Sequence, residues 1–301
     1  MNERPAAKRR SMRHPAVPET LDGWSILHRM FRFGRRAFDA LPAAQRFEIA
    51  DEARTYLELL ARSEEGDVSL AQLLGHKSDL MVTHYAKSFD ALAGAQTAFD
   101  KLALADYAEE TSSYVSILEL GLYEATAKLH ATLAERGLKA HSPEWNQTFD
   151  SALFEQERHP RNAERLWAKV PRRRYVCFYP MDKRRGESVN WYELPYAERA
   201  RLMVDHGKIG RSFHGLVTQV ISGSIGFDDW EWGVDLYADD PLIFKRLIYE
   251  MRFDVASARY AAFGPFYTGL QFSISELARY LEGDGVPQLA SDVLIGAAHT
   301  S

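Results

Sequence analysis

The stretch "LPYAERARLMVDHG" (residues 194–207) has a counterpart half a chain earlier, "LPAAQRFEIADEA" (residues 41–53). Both read as helix starts. Proline fixes φ in the first turn, where its missing N–H costs nothing, and apolar residues follow at helical spacing. The same signals surround both copies. "GHKSDLMVTHYAKSFDALAGAQTAF" (75–99) and "GFDDWEWGVDLYADDPLIFKRLIYEM" (226–251) each hold an Asp-bearing turn, an alternating strand, an acidic helix start and an amphipathic helix. Strand candidates open the two halves, "GWSILHRMF" (23–31) and "RRYVCFYPM" (173–181), and close them, "SSYVSILELGL" (112–122) and "FYTGLQFSI" (266–274). Strand, helix, two strands, helix, strand is the ferredoxin-like split βαβ order. The predicted class is therefore α+β, a duplicated ferredoxin-like chain with antiparallel sheets face to face and helices outside. The expected boundaries are a flexible basic tail (1–18), a first half (19–125), a connector (126–170) and a second half (171–301).

Composition limits the function classes. A net charge of −5 argues against a general nucleic-acid binder. The one cysteine, Cys177, allows no internal disulfide or metal-binding cysteine cluster, which points to a reducing, cytoplasmic compartment. No apolar run reaches the roughly 18 residues of a membrane span. The first residues, "MNERPAAKRRSMRHPAVP", lack the apolar stretch of a signal peptide.

The duplication also acts as an internal control, because a residue type present in only one half is not required by the shared fold. Aligning Pro42 with Pro195 sets Ala53 opposite His206. His206 shares a helix face with Leu202 and Met203, and Gly207 reads as a helix stop, so the imidazole either caps a helix end or serves as a ligand. One histidine does not make a zinc site, but it is enough as an axial ligand of haem iron.

The strand in "RRRYVCFYPMDKRRG" (172–186) turns Tyr175, Cys177, Tyr179, Met181 and Lys183 one way and Val176 and Phe178 the other. The expectation is that Val176 and Phe178 meet the helices and the Tyr/Met/Lys face meets the space between the sheets. Tyr179 reads as core or site, and a buried Lys183 needs an anionic partner. From Arg158 to Arg185 there are ten Lys or Arg residues against two acids, either a solvated face or a set of forked arginines for an anionic ligand. Gln219, in "HGLVTQVISGS" (214–224), is hydrogen-bonded core or faces a ligand. Arg252 and Ser257, in "YEMRFDVASARY" (249–260), read as the end of the helix that follows "DDP". Trp230, Trp232, Val234 and Leu236 alternate onto one strand face, which suits packing. Glycines 223, 226 and 233 lack the strand, loop and helix context of a phosphate site, and no hydrolase triad stands out.

Taken together, these segments resemble the chlorite dismutase superfamily and, within it, the coproheme decarboxylases. The likeness is carried by strings such as "DDWEWGV" (228–234) and "YEMRFD" (249–254), is densest over 175–275, and extends weakly into "TLDGWSILH" (20–28) and "LLGHKSDLMVTHY" (73–85). The resemblance implies a dimeric α+β barrel chain assembled as a homopentamer, with a haem site only in the second half. It implies His206 as the proximal iron ligand, Tyr179 as the residue oxidised to a radical, and Gln219 as the distal polar group, with His214 as the alternative. Lys183 is implied to act at the second propionate. Arg165, Arg252 and Ser257 are implied near the substrate carboxylates, and Met181 in the pocket wall. The implied reaction uses hydrogen peroxide to convert two propionates of iron coproporphyrin III (coproheme) to vinyls, giving haem b and carbon dioxide. Transient contact with the preceding ferrochelatase is implied by the pathway. Chlorite-degrading members resemble the chain in fold but use a distal arginine where Gln219 stands. A non-catalytic haem carrier or sensor would need His206 yet be indifferent to Tyr179.

Overall fold

The computed structural model describes residues 17–290. The basic tail expected over 1–18 therefore lies almost wholly outside the described residues.

The first half runs β1 (Thr20–Phe33), α1 (Arg35–Asp39), α2 (Ala43–Ala61), β2 (Gly66–Leu73), β3 (Leu80–Ala86), α3 (Phe89–Phe99) and β4 (Ala108–Gly121). Three helices follow: α4 (Tyr123–Glu135), α5 (Pro143–Arg158) and α6 (Pro160–Leu166). The second half runs β5 (Tyr175–Lys183), α7 (Tyr196–Ser212), β6 (Thr218–Gly223), β7 (Trp232–Ala238), α8 (Leu242–Met251), α9 (Val255–Ala258), β8 (Ala261–Phe263), β9 (Tyr267–Phe272) and α10 (Leu277–Glu282). The repeat extends to backbone detail: Pro42 and Pro195 precede α2 and α7 with φ, ψ of −56°, 142° and −53°, 143°. Side chains also mark helix starts, Ser88 accepting from the Ala91 amide before α3 and Asp240 from the Leu242 amide at α8.

Each half forms a four-stranded antiparallel sheet, β4-β1-β3-β2 in the first and β6-β7-β5-β9 in the second. The halves join along both edges, β2 to β9 and β4 to β6, so the strands close into a barrel whose two sheets face each other. Closure leaves few open edges, and the short β8 extends β5 at its far end. No helix among the described residues is long and apolar enough to cross a membrane.

The barrel interior holds Trp24, Ile26, Met30, Tyr85, Tyr114, Val176, Phe178 and Tyr237. This reverses the expectation for β5. Val176 and Phe178 face the other sheet, while Cys177 and Tyr179 face outward and pack with Val234, Leu236, Phe244 and Leu247 beneath the helices. Period two correctly separated the two faces, but it carries no information about which face is covered by helix. Trp230 also departs from its expected face: it packs with the barrel interior, and β7 begins only at Trp232.

Candidate functional site

In the first half, α2 lies directly on the sheet. Ile49, Ala50, Ala53 and Leu57 pack on Phe31, Val68, Leu70 and Val82, and the space left between helices and sheet is a void of about 20 Å³. In the second half the equivalent space is a cavity of about 490 Å³. Of the side chains of α7, only Arg199 and Leu202 are fully buried, and the residues it turns toward the cavity include Met203, His206, Gly207 and Gly210. Those four positions follow helical spacing on one stripe. Ala53 is 0% exposed where its counterpart His206 opens onto a cavity, so the difference between the halves is a filled core against an emptied one.

The helix does not stop at Gly207, as expected from sequence, but runs to Ser212. A glycine inside a helix costs about 1 kcal/mol. Here it leaves room: a Cβ at Gly207 would lie 3.0 Å from Arg211 Nη1, and one at Gly210 would lie 3.4 Å from Gln219 Nε2. His206 is thus one and a half turns inside the helix, and the reading as a cap on its C-terminus is excluded.

His206 is held by a residue that the sequence reading missed. Its Nδ1 lies 2.8 Å from Asp254 Oδ2, and the Ser257 hydroxyl donates to the same carboxylate oxygen at 2.7 Å. The other oxygen of Asp254 accepts from the Ala256 amide, capping α9. Arg252 and Ser257 are therefore not in one continuous helix: α8 ends at Met251, Arg252 follows as its C-cap, and Ser257 belongs to α9. Burial alone would push the Asp254 carboxyl up, but hydrogen bonds from His206, Ser257 and the Ala256 amide outweigh it and hold the group at about 2. A carboxylate fixed on Nδ1 leaves Nε2 to carry the lone pair, the second-shell arrangement typical of metal-bound histidine. The available sequence signal was Asp254 followed three residues later by Ser257, a cap pattern.

Facing α7 across the cavity, β5 presents Tyr179, Met181 and Lys183. Tyr179 is 5% exposed and stacks on Phe266 with ring centroids 4.5 Å apart. Burial pushes its phenol well above the ordinary value, so it is protonated at neutral pH. Lys183 is 7% exposed. Its ammonium donates to the Ala256 carbonyl at 3.0 Å and lies 4.4 Å from the centre of the Trp191 ring. Among the described residues no acid forms an ion pair with it. Burial pushes it down to about 8, with Asp254 and Glu231 drawing it partly back.

All eight side chains singled out from sequence, Arg165, Tyr179, Met181, Lys183, His206, Gln219, Arg252 and Ser257, line this one cavity. His214 is exposed and outside its lining. The cations of the basic run mostly have other partners. Lys169, Arg172, Arg173, Arg174 and Arg184 donate to backbone carbonyls, and Arg172 also pairs with Asp67 at 2.7 Å. From that run only Arg165 and Lys183 line the cavity, joined by Arg211 and Arg252 from elsewhere. Arg252 lies 4.0 Å over the Phe263 ring. Arg211 on α7, Trp191 in the loop before it and Glu119 from the other half are further lining residues that sequence reasoning missed, and Trp232 of β7, read from sequence as packing, lines the cavity as well.

Among the described residues no group of three or more His, Cys, Asp or Glu could hold a metal ion. A metal bound through His206 must bring most of its ligands with it, as iron in a macrocycle does. The oriented Nε2, the cavity volume and the cations in its lining fit an iron porphyrin with carboxylate arms.

The chlorite dismutase family model matches residues 46–272. The chain belongs to the chlorite dismutase family. It is 42% identical over 258 residues to a coproheme decarboxylase of Staphylococcus saprophyticus, covering 85% of this chain and 94% of that protein. It is 37% identical over 287 residues to a protein of Haloquadratum walsbyi named as heme-binding, covering 94% of this chain but only 50% of that protein's length. Among solved structures, a heme-binding protein from Thermus thermophilus superposes with a TM-score of 0.75 at 36% identity, over 90% of this chain and 99% of that one. A chlorite dismutase from Candidatus Nitrospira defluvii, at 16% identity and a TM-score of 0.65 over 87% of this chain and 97% of that one, shares the fold.

Proposed function

We propose that this protein is a coproheme decarboxylase, converting iron coproporphyrin III to haem b with hydrogen peroxide. The observation that carries the reading is the meeting, in one cavity, of a carboxylate-oriented histidine, a protonated buried phenol and a buried lysine that forms no ion pair among the described residues. A carrier needs only the first of these. The likeness to curated coproheme decarboxylases over most of the chain supports the same reading.

His206 would hold the iron through Nε2, with Asp254 keeping the imidazole in that tautomer. Bound in this way, the iron porphyrin supplies the two-electron oxidising chemistry, drawn from peroxide. Tyr179 would give up one electron and its phenolic proton, both of which end in the water formed from peroxide. It would then take a hydrogen atom from the β-carbon of a propionate held beside it. For each propionate the balance is one carboxylate arm, one peroxide and one proton in, and one vinyl, one carbon dioxide and two waters out. Lys183, which forms no ion pair among the described residues, would pair with a propionate carboxylate, and Arg165, Arg211 and Arg252 would neutralise others. Gln219 is neutral and supplies no cation beside the iron, in contrast to the arginine expected of chlorite-degrading members.

The test is to add one equivalent of iron coproporphyrin III to purified protein and titrate with hydrogen peroxide, followed by absorbance and mass spectrometry. Two successive decarboxylations ending in haem b are expected. Tight binding with no loss of carbon dioxide would instead favour a carrier or sensor.

A further inference from the structure

The first half contributes a half-buried acid to the cavity. Glu119, near the end of β4, is clamped: Trp232 Nε1 donates to Oε1 at 3.4 Å, and Gly223 leaves the space that Oε2 occupies, since a Cβ there would lie 2.5 Å from that oxygen. The charged and titratable groups around it come from several elements. Asp22 of β1 is its cross-strand partner, and Tyr123 and Glu124 follow on α4, where Glu124 already pairs with Lys128 at 2.6 Å. Arg211 of α7 lines the same cavity. Among the described residues no Lys, Arg or His forms an ion pair with Glu119.

An ionised carboxylate fixed in a cavity that takes anionic arms would repel them, with no paired cation to offset it. A neutral carboxyl is a hydrogen-bond donor, and a ligand carboxylate is a strong acceptor. We propose that Glu119 is kept as a neutral carboxylic acid and donates a hydrogen bond to one carboxylate arm of the bound tetrapyrrole, so that binding weakens as Glu119 ionises. The proposal rests on the coproheme reading for its ligand and on the clamp for its acid. Burial pushes the Glu119 carboxyl up to about 7, opposed by Trp232 and reinforced by Asp22. The transition therefore falls in the neutral range. A bound carboxylate favours the protonated form, so above that range binding takes up at most one proton and affinity falls by at most about tenfold per pH unit. Lys183 acts in the same direction only nearer its own value of about 8.

The experiment measures the dissociation constant of metal-free coproporphyrin III between about pH 6 and pH 8 for wild type, E119Q and E119L. Wild-type affinity is expected to fall about tenfold across that range. E119Q, an isosteric donor without charge, should keep the low-pH affinity and change by less than about twofold, whereas E119L should lose about fivefold even at low pH. Infrared spectra of the ligand-free protein should show a protonated-carboxyl band at low pH that disappears on raising the pH and is missing in E119Q. Binding by E119Q with the wild-type pH profile, or absence of that band, overturns the role of Glu119 alone. Failure of wild type to bind coproporphyrin at any pH overturns the coproheme reading and this hydrogen bond with it.

Discussion

His206 and Asp254 are joined through Nδ1 by a 2.8 Å hydrogen bond, between a helix that lines the cavity and the cap of the short helix beneath it. The contact fixes both the rotation and the tautomer of the imidazole. Removing the carboxylate in Asp254→Ala is expected to weaken iron coproporphyrin binding about 10- to 100-fold. Metal-free coproporphyrin should be almost unaffected, because the loss acts through the iron. Asp254→Asn keeps a capping oxygen and separates this effect from the ~1 kcal/mol lost with the cap. The sign of the pH effect follows from a carboxyl held at about 2 against an ordinary 3.8: its contribution to stability is complete above about 4 and is lost as the pH falls toward 2.

Tyr179→Phe removes one oxygen from a ring stacked on Phe266 and leaves the packing in place. Coproheme affinity should change by less than about twofold, while the decarboxylation rate falls by ~10²-fold or more, the pattern of a group used only in the chemical step. Stopped-flow absorbance with peroxide, read beside equilibrium binding, separates the two. Undiminished turnover would reject the tyrosine mechanism.

Lys183 is costly to the empty fold. Its folded value, about 8, lies below its ordinary 10.5, so the unfolded chain binds the proton more tightly and the ligand-free protein should gain stability as pH rises between those values. Lys183→Met should flatten that rise and raise unfolding stability near pH 7.5 by about 1–3 kcal/mol, while weakening coproheme binding. Urea midpoints across the alkaline range, with and without ligand, provide the check.

The seam between the halves depends on Gly269, whose position would place a Cβ 2.3 Å from the Gln72 carbonyl oxygen where β9 pairs with β2. Gly269→Ala is expected to cost about 1–3 kcal/mol by forcing the strands apart. A lower urea midpoint with an unchanged slope would show a loss of stability without a change in the unfolded state.

Much of the architecture was legible in short stretches, because proline placement, alternation and helical spacing are local properties of a chain. They marked the paired helices after Pro42 and Pro195, the strand carrying Tyr179 and Lys183, and the contrast between Ala53 and His206. Gln219 stood out as a polar residue in an apolar strand, while the resemblance added Arg165 and gave Arg252 and Ser257 a place at the site, which no local pattern picks out from ordinary surface or core. The outward direction of the Tyr179 face, the helix running on past Gly207, the break before Ser257 and the carbonyl partners of most of the basic run depended on residues far away in sequence. So did Asp254 on His206 and Glu119 inside the other half's cavity. These are consequences of barrel closure and of a helix standing off its sheet, and long-range packing decides them because every local alternative satisfies the backbone equally well.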